Sequence, residues 1–303
     1  MASRGRIAFI TVGLTIGIVA LFLGTVWLLM RVMDEGSLPG GAKVAIVEVD
    51  GIIGVGPDRS ADADAIVRTL AEYRDNPSVA AVVLRINSPG GVVGPTQEIF
   101  SAVQRVRAAR KPVVASLGAV AASDGYYVAL AANRIVASPG TLTGSIGVVM
   151  QLANIEGLLK KVGVDYVVVK AGAYKDIGSF ARPMKPEERQ VLQALLDDVY
   201  GQFVTAVAEH RGLDRKAVLG FADGRIYSGQ QARALKMVDD LGGLEEAIEA
   251  AAKLAGIPGK PKVIYPRRRF SLRDLLSNQL GLGAGTSLLP ALPSLKTPLY
   301  LML

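Results

Sequence analysis

The stretch Pro112–Ala132, PVVASLGAVAASDGYYVALAA, decides how this 303-residue chain is expected to fold. Its first part, Pro112–Leu117, has the branched apolar character of a buried strand, and its last part, Ser123–Ala132, has a helical pattern. Small residues join the two parts, and Ser123 stands where a helix N-cap is expected. The stretch therefore predicts a strand that turns tightly into a helix, as in an α/β protein.

Strands and helices alternate on both sides of this unit. The other predicted strands are Val44–Val49, Val79–Ile86, Ile135–Ala137, Ile146–Met150 and Val164–Val169. The other predicted helices are Asp62–Tyr73, Pro95–Ala109, Ile155–Val162, Lys185–Arg211, Arg215–Leu219, Ser228–Leu235 and Leu244–Leu254. This alternation predicts an α/β fold with a mostly parallel sheet and a helical extension.

The net charge of +7 is concentrated at the two ends of the chain. Residues 1–33 carry +3 and the tail from Lys260 carries +6, which leaves −2 for residues 34–259. Because the body is nearly neutral, we expect anionic lipid headgroups, and no nucleic acid, as the partner of the basic ends. The chain has no cysteine, which excludes a cysteine protease.

The run Ile7–Met30 contains 24 residues without a charge, which is long enough to cross a bilayer. A cleaved signal sequence would have a shorter apolar region of about 7 to 15 residues. Arg4 and Arg6 precede the run and Arg31 follows it, so we expect the N-terminus in the cytoplasm and the remainder on the outer side. The predicted organisation is a cytoplasmic stub and transmembrane anchor at 1–33, a linker at 34–42, the α/β domain at 43–258 and a basic and apolar extension at 259–303.

Ser123 and Lys175 are the candidate nucleophile and base. A serine hydroxyl needs a neighbouring base to take its proton, and a lysine serves once burial has lowered its pKa. A triad with histidine would depend on His210, the one histidine in the chain, which we expect to be a solvated residue at a helix end. The alternatives are that Ser123 is only a helix cap and that Lys175 lies in a turn, paired with Asp176.

A glycine-containing turn, Asn87–Gly91, overlaps the end of a predicted strand. Such a turn can aim a backbone N–H at the oxyanion of an acyl-transfer reaction, where one lost donor costs roughly 3 kcal/mol of transition-state stabilisation. Its alternative interpretation is an ordinary tight turn between a strand and a helix.

Four motifs, in this order, resemble the short bacterial form of signal peptide peptidase A. They are Asn87-Ser88-Pro89-Gly90-Gly91, Ala121-Ala122-Ser123-Asp124-Gly125-Tyr126-Tyr127, Thr141-Leu142-Thr143-Gly144-Ser145-Ile146-Gly147-Val148 and Lys175-Asp176-Ile177. The resemblance covers about residues 43–243. It implies a membrane-anchored serine endopeptidase of the Clp protease and crotonase-like fold, which degrades signal peptides that remain in the membrane after leader peptidase has cut.

By motif position, the resemblance makes Ser123 the nucleophile, Lys175 the general base and Ser145 a hydroxyl that orients the lysine. Gly91 and Asp124 would supply the N–H groups of the oxyanion hole. No metal or cofactor is implied. The family also implies a homo-oligomeric ring or dome in which neighbouring subunits complete each site, and substrates that are apolar, extended peptides.

Asp124 departs from the family, which commonly has glycine after the nucleophile. An inward carboxylate would favour the ammonium form of Lys175, so we expect this side chain to point away, towards the first turn of its own helix. Rival functions are a crotonase-like acyl-CoA enzyme, an inactive membrane scaffold and a protease acting on membrane quality-control clients. The apolar end of the tail could dock on a neighbour, enter the membrane or occupy a substrate groove.

Overall fold

The computed structural model describes residues 17–27, 42–54, 60–266 and 301–302. The chain divides into two compact units, Met1–Gly41 and Ala42–Leu303. In the first unit, residues 17–27 form a helix, α1. Within the described residues, no helix is both long and apolar enough to cross a membrane. The predicted anchor, Ile7–Met30, extends beyond the described residues at both ends and stays a prediction.

The second unit contains strands and helices in alternation. The strands are β1 (Lys43–Asp50), β2 (Ile52–Gly54), β3 (Ser60–Asp62), β4 (Val79–Ser88), β5 (Gly91–Val92), β6 (Val113–Ala122), β7 (Arg134–Ala137), β8 (Leu142–Gly144), β9 (Ile226–Ser228), β10 (Asp240–Leu241), β11 (Lys262–Ile264) and β12 (Leu301–Met302). The helices are α2 (Ala63–Asp75), α3 (Val93–Ala108), α4 (Asp124–Leu130), α5 (Glu156–Lys161), α6 (Pro186–Arg211), α7 (Arg215–Leu219), α8 (Gly229–Ala234) and α9 (Leu244–Leu254).

The main sheet has the strand order β10-β7-β6-β4-β1-β11, and all of these pairs are parallel. Strand β8 pairs with the end of β6, and β9 runs antiparallel to β8. A smaller sheet has the order β12-β5-β2-β3. The predicted α/β fold with a mostly parallel sheet is therefore confirmed.

Apolar side chains cover both faces of the main sheet. On one face, Leu70, Ile99 and Phe203 from helices α2, α3 and α6 are fully buried in the larger core. On the other face, Ala247 and Ala251 of α9 pack in a smaller cluster. Parallel strands covered on both sides carry continuous apolar runs, which explains why β1, β4 and β6 were recognisable from the sequence.

Two predicted strands are wrong. Residues 146–150 do not form a strand, and the strand in this region is β8, slightly earlier in the chain. Residues 164–169 are also not a strand, and Val167 and Val169 are 81% and 96% exposed. Their branched side chains resemble those of a buried strand, but in this chain no described strand pairs with them.

The main sheet continues past the predicted domain boundary at residue 258. Strand β11 pairs in parallel with β1, from Lys43↔Lys262 to Ala45↔Ile264. The start of the C-terminal extension is thus an edge strand of the fold. Near the end of the same extension, β12 pairs antiparallel with β5.

Candidate active site

Ser123 lies at the turn between β6 and α4, in a backbone conformation that is rare for a residue with a side chain. Its φ is 54° and its ψ is −122°, and the residue is fully buried. The N–H of Ser123 donates to Gly144 O at 2.8 Å, and its carbonyl accepts from the N–H of Tyr127 at 2.9 Å. Such strain costs about 1–3 kcal/mol and persists only where the surrounding structure holds it.

The hydroxyl of Ser123 does not cap the helix. It makes no capping hydrogen bond, and Oγ is buried without a hydrogen-bond partner among the described residues. Ser123 therefore occupies the predicted N-cap position, but its hydroxyl does not act as the cap. A strained strand-to-helix turn that carries an uncommitted serine hydroxyl is how other serine hydrolases hold a nucleophile.

Glycine at position 125 lets helix α4 approach the end of β4. A Cβ at this position would lie 2.7 Å from Ser88 O, closer than such atoms approach. Ser88 also pairs with Ala121 across the β4–β6 ladder. The turn that follows Ser88 is consequently brought beside the helix that begins after Ser123.

Gly91, the predicted oxyanion donor, lies on β5 in this turn. A Cβ at Gly91 would lie 2.0 Å from the carbonyl oxygen of Ile53 on β2, so only glycine fits. The strand contacts helix α4, which begins at Asp124, the residue after the candidate nucleophile. The structure thus brings Gly91 and the start of helix α4 together.

Ser145 also lies next to the turn at Ser123. It directly follows Gly144, whose carbonyl accepts the N–H of Ser123. Ser145 is 8% exposed, has a φ of 51° and donates its N–H to Arg225 O at 2.8 Å. Antiparallel pairing of β8 with β9 therefore fixes the backbone at this position.

The carboxyl of Asp124 is fully buried, and neither oxygen has a partner at hydrogen-bond geometry among the described residues. Burial raises its pKa to about 7, against a smaller opposing influence of the Gly91 N–H and the Thr96 hydroxyl. The carboxyl accepts no hydrogen bond from the first turn of its own helix within the described residues. Thr96, which the sequence did not single out, is buried with an unpartnered hydroxyl.

This buried carboxyl makes stability depend on pH. Its folded-state pKa of about 7 lies above the ordinary 3.8. The unfolded carboxyl therefore ionises first, and the free energy of unfolding falls as pH rises from about 4 until the folded carboxyl is also ionised, above about pH 7. Asp124→Asn removes that ionisation, and its stability relative to wild type should rise by about 4 kcal/mol between pH 4 and pH 8. Urea unfolding at both pH values measures this difference. Asp165→Asn, at an exposed position, is the control, and an equal pH dependence in wild type and Asp124→Asn would contradict the expectation.

Lys175 makes no hydrogen bond to Ser123, whose Oγ has no partner among the described residues. It is exposed, on a segment that runs from residue 151 to residue 185, and it forms no ion pair with any described residue. Asp176 instead pairs with Lys170 and, at 2.9 Å, with Arg182. Lys175 does lie in a turn, as one interpretation expected, and its N–H donates to Gly172 O at 3.2 Å, but the expected pairing with Asp176 is wrong.

An ion-pair network ties this segment to the start of α6. Arg182 contacts Asp176 at 2.9 Å and reaches Glu188, which is 2% exposed, at 2.5 Å. The Arg182 guanidinium and then the Lys170 ammonium hold the pKa of Asp176 well below its usual range. Arg182 and then the N–H of Lys185 lower the pKa of Glu188 to about 2. The network links the segment to α6 and does not include Lys175.

His210 is half-buried at the last turn of α6, where solvent exposure was expected. Its ring packs edge-on against Phe100, with 5.1 Å between the ring centroids. Burial, and then the positive charge of Arg107, lower the pKa of this imidazole. It packs on the helical layer and makes no hydrogen bond to Ser123 among the described residues.

The strand edge at β5 accepts an extended chain. Leu301 and Met302 pair there antiparallel with Val92 and Gly91. Exposed apolar side chains lie on neighbouring strands that border the site: Ile52, Leu142 and Ile226, at 48%, 43% and 60% exposure. The described end of the tail, Leu301–Met302, thus pairs with this strand edge.

Comparison with protein families assigns this parallel sheet and its strained serine to a serine peptidase with a Clp protease-like α/β fold. A model of Clp protease matches residues 45–141, and a model of peptidase family S49 matches residues 105–258. The second match covers half of the chain.

Relatives agree with this class. A protein of Methanocaldococcus jannaschii that carries the name of a protease is 36% identical over 92% of this chain and 94% of its own length. One of Synechocystis sp., named in the same way, is 46% identical over 71% of this chain and 75% of its own. An Enterococcus faecium protein named for signal peptide peptidase SppA is 32% identical over 78% of this chain and 70% of its own length. The chain belongs to peptidase family S49.

Proposed function

We propose that this peptidase is anchored in the cytoplasmic membrane by Ile7–Met30 and degrades signal peptides left there after leader peptidase has cut. The N-terminus would face the cytoplasm and the catalytic domain the outer side. The observation that carries the proposal is Ser123, a buried hydroxyl without a partner on a strained turn at a helix start. The relative named for SppA supports the substrate class.

In the proposed mechanism, Ser123 Oγ attacks a peptide carbonyl while neutral Lys175 Nζ accepts its proton. The N–H groups of Gly91 and Asp124 receive the oxyanion. The Lys175 ammonium then gives its proton to the leaving amine, and an acyl-enzyme remains. Lys175 next takes a proton from water, and the resulting hydroxide attacks the ester carbonyl. As the bond from the acyl carbon to Oγ breaks, the Lys175 ammonium returns that proton to Ser123 Oγ, so the peptide acid leaves and both residues regain their starting states. The hydroxyl of Ser145 would hold the lysine in position.

Lys175 would come from a neighbouring copy of the chain. In a single chain it is exposed, whereas a lysine that is neutral at working pH has to be desolvated. The segment that carries it also exposes Val167, Val169 and Tyr174, at 81%, 96% and 50%. Packing this apolar surface against another copy would bury the lysine, in keeping with a homo-oligomeric ring or dome.

Substrates would be extended, apolar peptides. An extended peptide can add a strand to β5, as the end of the tail does, and its backbone would then lie beside Ser123. The exposed apolar residues Ile52, Leu142 and Ile226 would contact its side chains. A peptide released into the bilayer has this apolar character.

The full chain in lipid vesicles should cleave a synthetic signal peptide within its apolar core, and Ser123→Ala should not. Mass spectrometry of the products locates the cut. The control substrate is the same peptide with two lysines in the core, which should be cut more slowly because it leaves the bilayer. Cleavage of unfolded proteins but not of the signal peptide would favour the quality-control protease. If nothing is cut by the folded oligomer, the inactive scaffold replaces both.

A further inference from the structure

The segment 151–185, which carries Lys175, has little core of its own. None of its residues is buried, and its helix α5 buries no side chain. The rings of Tyr166 and Phe180 are in contact, with 5.1 Å between their centroids, but this contact lies within the segment and does not connect it to the rest of the domain. The polar contacts of the turn that contains Lys175 are therefore expected to set its position.

The guanidinium of Arg182 makes such contacts. Its Nε donates to Asp176 Oδ2 at 2.9 Å and its Nη2 donates to the Asp176 carbonyl at 3.2 Å, so it holds both the side chain and the backbone of the residue after Lys175. Its Nη1 donates to Glu188 Oε2 at 2.8 Å. A planar guanidinium that bonds its partners in this way fixes their orientation as well as their distance.

Glu188 connects this bridge to the folded body of the domain. It lies in the first turn of α6 and is 2% exposed. Further along the same helix, Phe203 is fully buried, and its ring packs edge-on against that of Tyr127 on α4, with 5.1 Å between the centroids. A continuous series of contacts thus leads from the core, through α6 and Arg182, to the turn that contains Lys175.

We propose, building on the function proposed above, that Arg182 is a positioning residue for the general base. Its bridge between Asp176 and Glu188 fixes the turn from which Lys175 reaches the serine. A general base acts only within hydrogen-bond reach of the proton it takes, and a misplacement of 1 Å can reduce the rate by about 10²-fold. Arg182 also neutralises the carboxylate beside Lys175, which would otherwise favour the ammonium form of the lysine.

The test measures how fast a fluorophosphonate labels Ser123 in the full chain in detergent micelles. Arg182→Met should slow the labelling of folded protein by about 10- to 100-fold, because the lysine is no longer held in place. Asp176→Ala cuts the bridge at its other end and leaves the pair of Arg182 with Glu188 intact. It should slow labelling to a similar extent, also if Arg182→Met folds poorly.

Arg211→Met is the matched control. Arg211 makes the same kind of forked contact with Asp239, at 2.7 and 3.0 Å, at the other end of α6. Its replacement should lower the stability of the protein and leave the labelling rate of folded protein unchanged.

A double-mutant cycle with Lys175→Ala separates positioning of the lysine from a general structural role. If Arg182 acts through the lysine, Arg182→Met should cause no further slowing in the Lys175→Ala background. Hydrogen exchange is a second readout that does not depend on the residual labelling of that background. Exchange in residues 172–179 should be faster in Arg182→Met than in wild type, and exchange in residues 118–127 should be unchanged.

Three results would each overturn the inference: equal slowing in both backgrounds, faster exchange around Ser123, or labelling of Arg182→Met and Asp176→Ala at the wild-type rate. In these cases, fast labelling of wild type and slow labelling of Lys175→Ala would leave the proposed function standing. No labelling of wild type would overturn the proposed function and this inference together.

Discussion

Ser123→Ala is expected to reduce turnover by about 10⁴-fold or more, because the loss of a nucleophile removes the covalent route entirely. The variant should fold at least as well as wild type. The hydroxyl is buried without a hydrogen-bond partner in the part of the chain that the structure describes, and such a group costs roughly 1–3 kcal/mol. Loss of activity without loss of stability separates a catalytic serine from a structural one.

Ser116→Ala is the matched control for this expectation. Ser116 is a fully buried serine on the same strand, β6, and its hydroxyl accepts from Arg85 Nη1 at 2.9 Å. The variant should lose about 1 kcal/mol of stability, the usual worth of such a hydrogen bond, and should keep its turnover per folded molecule. Equal activity of Ser123→Ala and Ser116→Ala would remove Ser123 from the mechanism.

Lys175→Ala should reduce kcat by about 10²–10⁴-fold, the usual contribution of a general base. Its stability should stay near that of wild type because the side chain is exposed and forms no ion pair with a described residue. Lys170→Ala is the control, since this lysine lies on the same segment and pairs with Asp176. That control should loosen the segment and reduce activity less.

Co-expression of Ser123→Ala with Lys175→Ala tests whether the lysine comes from another copy. If it does, mixed oligomers contain sites with an intact serine and an intact lysine, and random mixing should restore about a quarter of wild-type activity. The Lys175→Ala variant co-expressed with itself supplies the baseline. No recovery in oligomers that contain both chains would place the two residues of each site in one chain.

The sequence predicted those helices and strands whose packing partners lie in the same chain. Helix α9 was predicted with its observed bounds, and strands β1, β4 and β6 were recognised because helices cover both faces of the sheet. The strand predicted for the segment 164–169 does not form. The apolar residues of this segment are exposed, so their branched character does not reflect burial in the sheet of this chain.

The residues of the candidate site also differ in how well the sequence predicted their placement. The motifs placed Gly91, Ser145 and Asp124 near Ser123. In the structure, Asp124 begins helix α4, which contacts β5 with Gly91, and Ser145 follows Gly144, the acceptor of the Ser123 N–H. The full burial of the Asp124 carboxyl was not predictable, because it depends on how separate segments of the chain pack around the start of α4. Lys175 stays exposed, since the surface that would bury it belongs, in our proposal, to another copy.

Intact-mass analysis of the full chain after treatment with a fluorophosphonate tests the central claim most directly. The reagent forms a stable adduct with an activated serine. One adduct per chain is expected in wild type, located on Ser123 by peptide mapping, absent from Ser123→Ala and reduced in Lys175→Ala. A folded oligomer that gains no adduct, or one that gains it on a different serine, would contradict the assignment of Ser123 as the nucleophile.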